Sequence, residues 1–447
     1  MIRKSLLTFA SLLIALSSIS AQEVQKQWSL LECIAHAHEN NITIKRQTLN
    51  SQYQENLLNQ SKNNRLPDLN ANLNGSLNYG YTWVQQEAAN VQESTYSLSP
   101  GITSNISVFE GMTQSNTIKR NQYNLKAALE DSKKTKNDIA LQITAQYMQI
   151  LFDKELLAVA IEQSETSKLQ VDRTKKLVDA GSVALGNLLE IKSQAAKEAL
   201  NVTQQENNLT LSLLNLAQLL DIVNPVGFDI ETPSIPELTQ FLPDQPNNIY
   251  TTALGIMPEI KSSEYSLTSS EYELKMAKGG YYPTFGVGIG MNASSFSLLD
   301  DPNNYNVSIG DQWDKTRSSY LGFSLRIPIF NRFNTKTNVS NARINLTDAQ
   351  YKLELEKQNL RKDIQQAYVD ARASYNKYLS SEEAVNSFAE SFRYTEKKFN
   401  VGLVNSVDYN VSKTDYTRAQ SDLLQAKYEY ILRTKILDFY KGIPIEL

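Results

Sequence analysis

The stretch LNANLNGSLNYGYTW, Leu69–Trp83, changes character residue by residue. Leu69, Ala71, Leu73, Gly75, Leu77, Tyr79, Tyr81 and Trp83 stand on one side; Asn70, Asn72, Asn74, Ser76, Asn78, Gly80 and Thr82 stand on the other. A two-residue period marks a strand whose two faces meet different media. The pattern recurs three times. Leu98, Ile102, Ile106 and Val108 alternate with Ser99, Thr103, Asn105 and Ser107. Phe285, Val287, Ile289 and Met291 alternate with Thr284, Gly286, Gly288 and Gly290. Leu321, Phe323, Leu325 and Ile327 alternate with Tyr320, Gly322, Ser324 and Arg326.

Between these strands Gly and Pro vanish from long tracts: Met112–Ala180, Asn187–Asn224, Arg332–Val401 and Leu403–Lys441. Such tracts read as helices, and about 65 helical residues make a rod of roughly 100 Å. A rod of that length exceeds a globular core, so the helices are expected to pack on one another as coiled coils. Leu353, Leu360 and Ala367 recur every seven residues, interleaved with Ile364, Ala371 and Tyr378, as a coiled-coil seam requires.

The chain is a duplication. Gly101, Phe109, Tyr147 and Gly181 match Gly322, Phe330, Tyr368 and Gly402 at one offset, 221 residues (322 − 101). Ala37, Ile44 and Pro67 match Ala253, Ile260 and Pro283 at an offset of 216 (253 − 37), which puts a five-residue difference in the hairpin region of one half. Each half reads helix, strand, strand, very long helix, turn, helix. The first repeat spans 22–221, with a helix over about Leu30–Arg65, strands at about 67–83 and 96–109, and helices at about 112–180 and 187–221. The second spans 248–447, with a helix over about Asn248–Lys278, strands at about 283–296 and 318–330, and helices at about 332–401 and 405–441. Pro225, Pro233, Pro236, Pro243 and Pro246 crowd into the linker between them, 222–247.

Residues 1–21 read as a secretory signal peptide: Arg3 and Lys4, an apolar run too short to span a bilayer, and a small-residue cleavage zone ending at Ala21. Without Arg3 and Lys4 the chain has 42 basic residues against 48 acidic ones, a mild acidity that argues against nucleic acid as a partner. The single Cys33 forms no intrachain disulfide and sits at helical spacing in LLECIAHA, where a buried core role is expected. His36 and His38, two apart on a helix, make a poor metal pair. No arrangement of nucleophile, base and acid is legible, so neither enzyme chemistry, cofactor nor metal is expected.

The chain resembles the TolC-type outer-membrane efflux proteins. The residues that carry the resemblance are the tandem repeat, IPIFN at Ile327–Asn331 opening a long helix, and VGLVNSVDYNVSK at Val401–Lys413; in the first half SVFEG and AGSVALGNLLEIK stand in their places. The resemblance implies a homotrimer in the outer membrane of a Gram-negative bacterium. Its fold class would be a 12-stranded β-barrel, four strands per protomer, continued by a long α-helical coiled-coil periplasmic tunnel. It implies a passive duct for small-molecule efflux, opened at its helical tip by a periplasmic adaptor and energised by an inner-membrane pump. A type I protein secretion duct shares this architecture, and a non-channel structural or adhesive coiled coil is the alternative from another class. The four two-faced strands favour the duct, since an adhesive rod has no use for lipid-facing rows.

Within that reading, Leu69, Leu73, Leu77, Phe323 and Leu325 are expected to face outer-membrane lipid, with Tyr79, Tyr81 and Trp83 near the outer interface. Asn70, Asn72, Asn74 and Asn78 are expected to line the lumen. The turns at Gly181 and Gly402 are the expected gate and adaptor-docking tip, with Asn187, Val404 and Asp408 beside them. An inward Asp408 would form a ring of three carboxylates; equally, it would serve as an N-terminal helix carboxylate. Phe399 and Val404 occupy places where polar bridging residues are expected in this family, which favours a gate of apolar contacts and hydrogen bonds over a salt-bridge lock. The acidic, aromatic segment Asp300–Arg317 is an outer loop that either caps the mouth or is simply exposed.

Overall fold

The computed structural model describes residues 27–84, 88–234, 244–299 and 307–446. The signal segment 1–21, the middle of the Pro-rich linker and the start of the outer loop lie outside the described residues. In chain order the elements are β1 (Gln27–Trp28), α1 (Leu30–Asn40), α2 (Ile42–Asn63), β2 (Asn70–Val84), β3 (Ala89–Glu110), α3 (Thr113–Asp179), α4 (Leu185–Leu219) and β4 (Asp229–Ile230). There follow α5 (Pro246–Ile256), α6 (Pro258–Gly279), β5 (Thr284–Asn292), β6 (Ser295–Leu298), α7 (Ile309–Thr316), β7 (Ser318–Arg326), α8 (Asn334–Asn400) and α9 (Ser406–Tyr440). The long helices carry the duplication to the residue: α3 and α8 have 67 residues each, α4 and α9 have 35 each. Both ends of each pair are offset by 221 (334 − 113).

The chain divides into two compact units. Of the described residues, those within 47–132 and 258–357 form one, which holds the main sheet; those within 27–46, 133–257 and 358–446 form the other, which holds the turns at Gly181 and Gly402. In the second of these, Cys33, Ile143, Ile150, Leu216 and Ile230 are fully buried in one apolar cluster. There Tyr147 donates its hydroxyl to the carbonyls of Trp28 and Glu231, at 3.2 and 2.7 Å, and so ties α3 to the short parallel pair β1–β4. Burial raises the Tyr147 phenol above its ordinary pKa, which keeps it a donor. The seam residues Leu360, Ile364, Ala367 and Ala371 of α8 are buried, as their seven-residue spacing implies.

Each expected opening helix is two helices. The first breaks at Asn41, whose backbone is extended (φ −60, ψ 126). Its side-chain oxygen accepts from the N–H groups of Thr43 and Ile44 at 2.9 and 3.4 Å and so starts α2 afresh. The second breaks at Met257, equally extended (φ −67, ψ 128), because Pro258 follows. A proline disfavours helical geometry in the residue before it. The two breaks are 216 residues apart (257 − 41), the offset of the repeat in this region.

The strand ends also differ from expectation. The fourth strand stops at Arg326 rather than 330, since Pro328 has no N–H to give a ladder. The first starts at Asn70, leaving Leu69 just outside it, because the Asp68 carboxylate takes the Asn105 N–H at 2.6 Å where a backbone carbonyl would continue the pairing. The second is longer than expected and shifts register between Ser107 and Phe109. The third is interrupted after Asn292, where the Thr316 hydroxyl of α7 accepts from the Ser294 N–H (3.0 Å) and donates to its carbonyl (2.6 Å). The second-half hairpin region, five residues longer, therefore contains β6 and α7 where the first half continues its two long strands.

Asn41→Ala removes the cap of α2 and the Asn41 side-chain bond to the Leu219 carbonyl (3.0 Å). The expected loss is about 1–2 kcal/mol of stability, read as a lower denaturation midpoint in detergent. An unchanged midpoint would show that the break is held by something other than Asn41.

Candidate functional site

The main sheet runs β2–β3–β5–β7, all antiparallel, with β6 continuing beside β3. Its register decides which residues share a face. Leu73 pairs with Pro100, Leu77 with Tyr96, Ile102 with Met291, Ile106 with Val287, Val287 with Phe323 and Phe285 with Leu325. One face of all four strands is therefore apolar. Asn72 pairs with Gly101, Asn74 with Ser99, Thr103 with Gly290, Asn105 with Gly288 and Gly286 with Ser324. The other face is therefore polar and nearly free of charge.

The apolar face is uncovered. Leu73, Leu77, Phe323 and Leu325 are each about three-fifths exposed or more (61%, 60%, 68% and 63%). Leu69, Tyr79, Tyr81 and Trp83 are exposed with them. Water would oppose so large an apolar surface. The polar face is flat where β5 supplies glycine. A Cβ at Gly290 would come within 2.5 Å of the Tyr320 ring, and one at Gly288 within 2.7 Å of the Asn105 side-chain oxygen. Glycine lets those neighbouring side chains lie along the sheet instead of standing from it.

In the other unit, two helix hairpins turn at Gly181 and Gly402, at φ +68 and +78. The Ser182 N–H reaches the Leu177 carbonyl and the Leu403 N–H the Lys398 carbonyl, each at 2.9 Å. That six-residue closure is the Schellman ending, whose left-handed residue favours glycine. The hairpins differ at their restart. Asn405 caps α9 by accepting from the Asp408 N–H at 2.9 Å, while Ala184 gives α4 no side-chain cap. The exposed Asp408 carboxylate sits in the first turn of α9, where the helix dipole favours it.

A cleft of about 490 Å³ runs between the turns. Asn187, Gly402, Val404 and Asp408 line it together with Arg173 and Phe399. Gly181 lies at the neighbouring turn. Phe399 stacks on Tyr409 with centroids 4.7 Å apart, and Phe392 contacts Tyr409 and Tyr416 at 5.5 and 5.8 Å. This aromatic ladder zips α8 to α9 near the turn. Burial pushes the Tyr409 phenol up to about 12, with Glu396 adding to the rise and Arg173 opposing it. Sequence reasoning did not single out Tyr409, Arg173, or Glu190, whose carboxylate accepts from the Ser406 hydroxyl. His36 packs edge-on against Trp28 (5.1 Å), whereas His38 faces Lys136 and is lowered in pKa chiefly by burial. Among the described residues no three metal-ligating side chains cluster, and no helix is long and apolar enough to cross a membrane.

An exposed apolar sheet face, a polar reverse face and long paired helices are the features of an outer-membrane protein with a large periplasmic portion. Residues 249–439 match the family described as Outer membrane efflux protein. The outer membrane efflux protein BepC of Brucella suis is 21% identical over 339 residues, 75% of this chain and 70% of BepC. The outer membrane protein TolC of Escherichia coli is 20% identical over 296 residues, 66% of this chain and 59% of TolC, so the aligned part spans less than two thirds of that relative. A crystal structure of CusC, described in terms of folding and transmembrane channel formation, superposes with a TM-score of 0.75 at 16% identity, covering 93% of this chain and 92% of CusC. In sequence and fold the chain is similar to the TolC-type outer-membrane efflux proteins.

At Gly181 and Gly402 nothing lies within 4 Å of where a Cβ would stand, so alanine there meets backbone strain alone. Gly402→Ala is expected to cost about 1–2 kcal/mol, seen as roughly tenfold or greater loss of exchange protection at the Leu403 amide. Unaltered exchange would mean that the turn does not depend on its left-handed residue.

Proposed function

We propose that three copies of this chain close one 12-stranded barrel in the outer membrane and form a passive export duct. The observation that carries the proposal is the sheet with two open edges. Among the described residues neither β2 nor β7 has a partner on its outer side, and an open edge is not tolerated in lipid. Eight strands, from two copies, leave an interior that side chains fill. Twelve leave a lumen. The row of Leu73, Leu77, Phe323 and Leu325 then faces lipid, and Asn70, Asn72, Asn74 and Asn78 face water.

The duct supplies no energy. The reading is of tripartite small-molecule efflux, supported by the efflux relatives, with a periplasmic adaptor docking at the turns near Gly181 and Gly402 and an inner-membrane pump driving transport. Asn187, Val404 and Asp408 line the cleft that must rearrange as the hairpins part. The gate is held by the Phe392, Phe399, Tyr409 and Tyr416 packing and by hydrogen bonds.

Purified protein in planar bilayers is expected to form discrete conducting channels; no channel at all would sink the duct. Cysteines replacing Asn187 and Val404, joined by a short bis-maleimide crosslinker, are expected to hold the tip shut and abolish export. Export continuing under complete crosslinking would remove the tip as the gate. A deletion strain with raised susceptibility to small toxic compounds and intact protein secretion is the expected phenotype. The reverse pattern would assign the duct to secretion.

A further inference from the structure

The large side chains with least exposure among the described residues are aliphatic, apart from Tyr147 and Lys413. Lys413 stands on α9, about two turns from its start, and is 1% exposed. Its ammonium donates to the Gln163 carbonyl at 3.0 Å and to the Ser167 hydroxyl at 2.5 Å, both on α3. Neither partner carries a charge. Among the described residues no carboxylate lies within ion-pairing distance of it. The charged groups that bear on it from the other packed elements are Glu198 of α4 and Glu396 of α8. They favour its protonation, and burial outweighs them, so its pKa falls below the usual 10.5.

The surface that α3 offers here is polar too. Gln163, Ser164, Ser167 and Thr174 are all buried, and the Thr174 hydroxyl has no hydrogen-bond partner among the described residues. Positions that a coiled-coil seam fills with aliphatic residues hold a lysine, two serines, a glutamine and a threonine. A buried charge held only by neutral acceptors costs more in lost hydration than it regains. Moving α9 away from α3 would return that charge to water.

We infer that Lys413 is a gating residue: its charge, buried between α3 and α9, weakens their packing and keeps the helices poised to part. This rests on the tip being the gate. The sign of its pH dependence follows from the burial. The neutral amine packs better than the ammonium, so the packed state gains stability as pH rises from the lowered pKa toward 10.5. Below that window the cost of burial is fully present.

The test compares wild type with K413M and K413R in planar bilayers. It also measures the distance between spin labels at the exposed positions Leu169 on α3 and Val411 on α9. K413M, similar in volume and uncharged, is expected to lower open probability about tenfold at neutral pH and to narrow the label distance distribution. Wild type is expected to open less as pH is raised toward 10.5, K413M to show no such response, and K413R to stay open through the same range. A K413M channel that opens more than wild type would make Lys413 a latch and overturn the inference, as would unchanged gating with the alkaline response intact. Absence of any wild-type conductance would instead count against the duct, and the pH dependence of the wild-type label distance would still decide the role of Lys413. That wild-type distance also decides it should K413M fail to form heat-resistant oligomers.

Discussion

Every backbone N–H and C=O within a bilayer must find a partner inside the protein. The rest of this structure follows from that rule. Four strands with one apolar face cannot satisfy it alone, because among the described residues β2 and β7 are left as edges. The side chains show the same incompleteness. Leu73, Leu77, Phe323 and Leu325 form a surface that water would not tolerate, and they lie opposite Asn and Gly positions suited to a wet interior. The proposed closure, with lipid outside, water inside and further copies at both edges, would resolve all three conditions together.

The duplication explains how a chain of this length supplies such a share. Two repeats each give a strand pair and a long helical hairpin, and the offset of 221 holds through both hairpins. The halves reach the same geometry by different chemistry. Asn41 breaks the first opening helix by capping its successor, and Pro258 breaks the second by excluding helix from Met257. Where the repeat diverges, in the second hairpin region, β6 and α7 are added, and the Thr316 hydroxyl fastens α7 to the strand break at Ser294.

The two-faced strands and the long helices were legible in the sequence because periods of two and seven survive in any context where one face is buried or immersed. Two-residue alternation placed Asn72, Asn74, Leu73 and Leu77 on the sides that the register gives them. The strand ends were less legible. Asp68 replaces a backbone acceptor with a side chain, and no periodicity records that substitution. The break at Asn41 was hidden because asparagine within a helical pattern carries no obligatory signal, although Pro258 did carry one. At the two helix turns, the glycines at Gly181 and Gly402 could be read, but the Phe399–Tyr409 stack depends on two helices meeting. Lys413 was invisible for the same reason: a lysine on a coiled-coil helix reads as solvated until a second helix is seen to cover it.

Closure of the sheet between copies is the central claim, and disulfide scanning across the two open edges tests it most directly. Single cysteines along β2, Asn70–Val84, are paired with single cysteines along β7, Ser318–Arg326, in the cell envelope and oxidised. The account predicts that one antiparallel register of pairs converts the protein into covalent trimers on a denaturing gel, with neighbouring registers silent. Monomers at every register, or crosslinks confined to pairs within one chain, would contradict it.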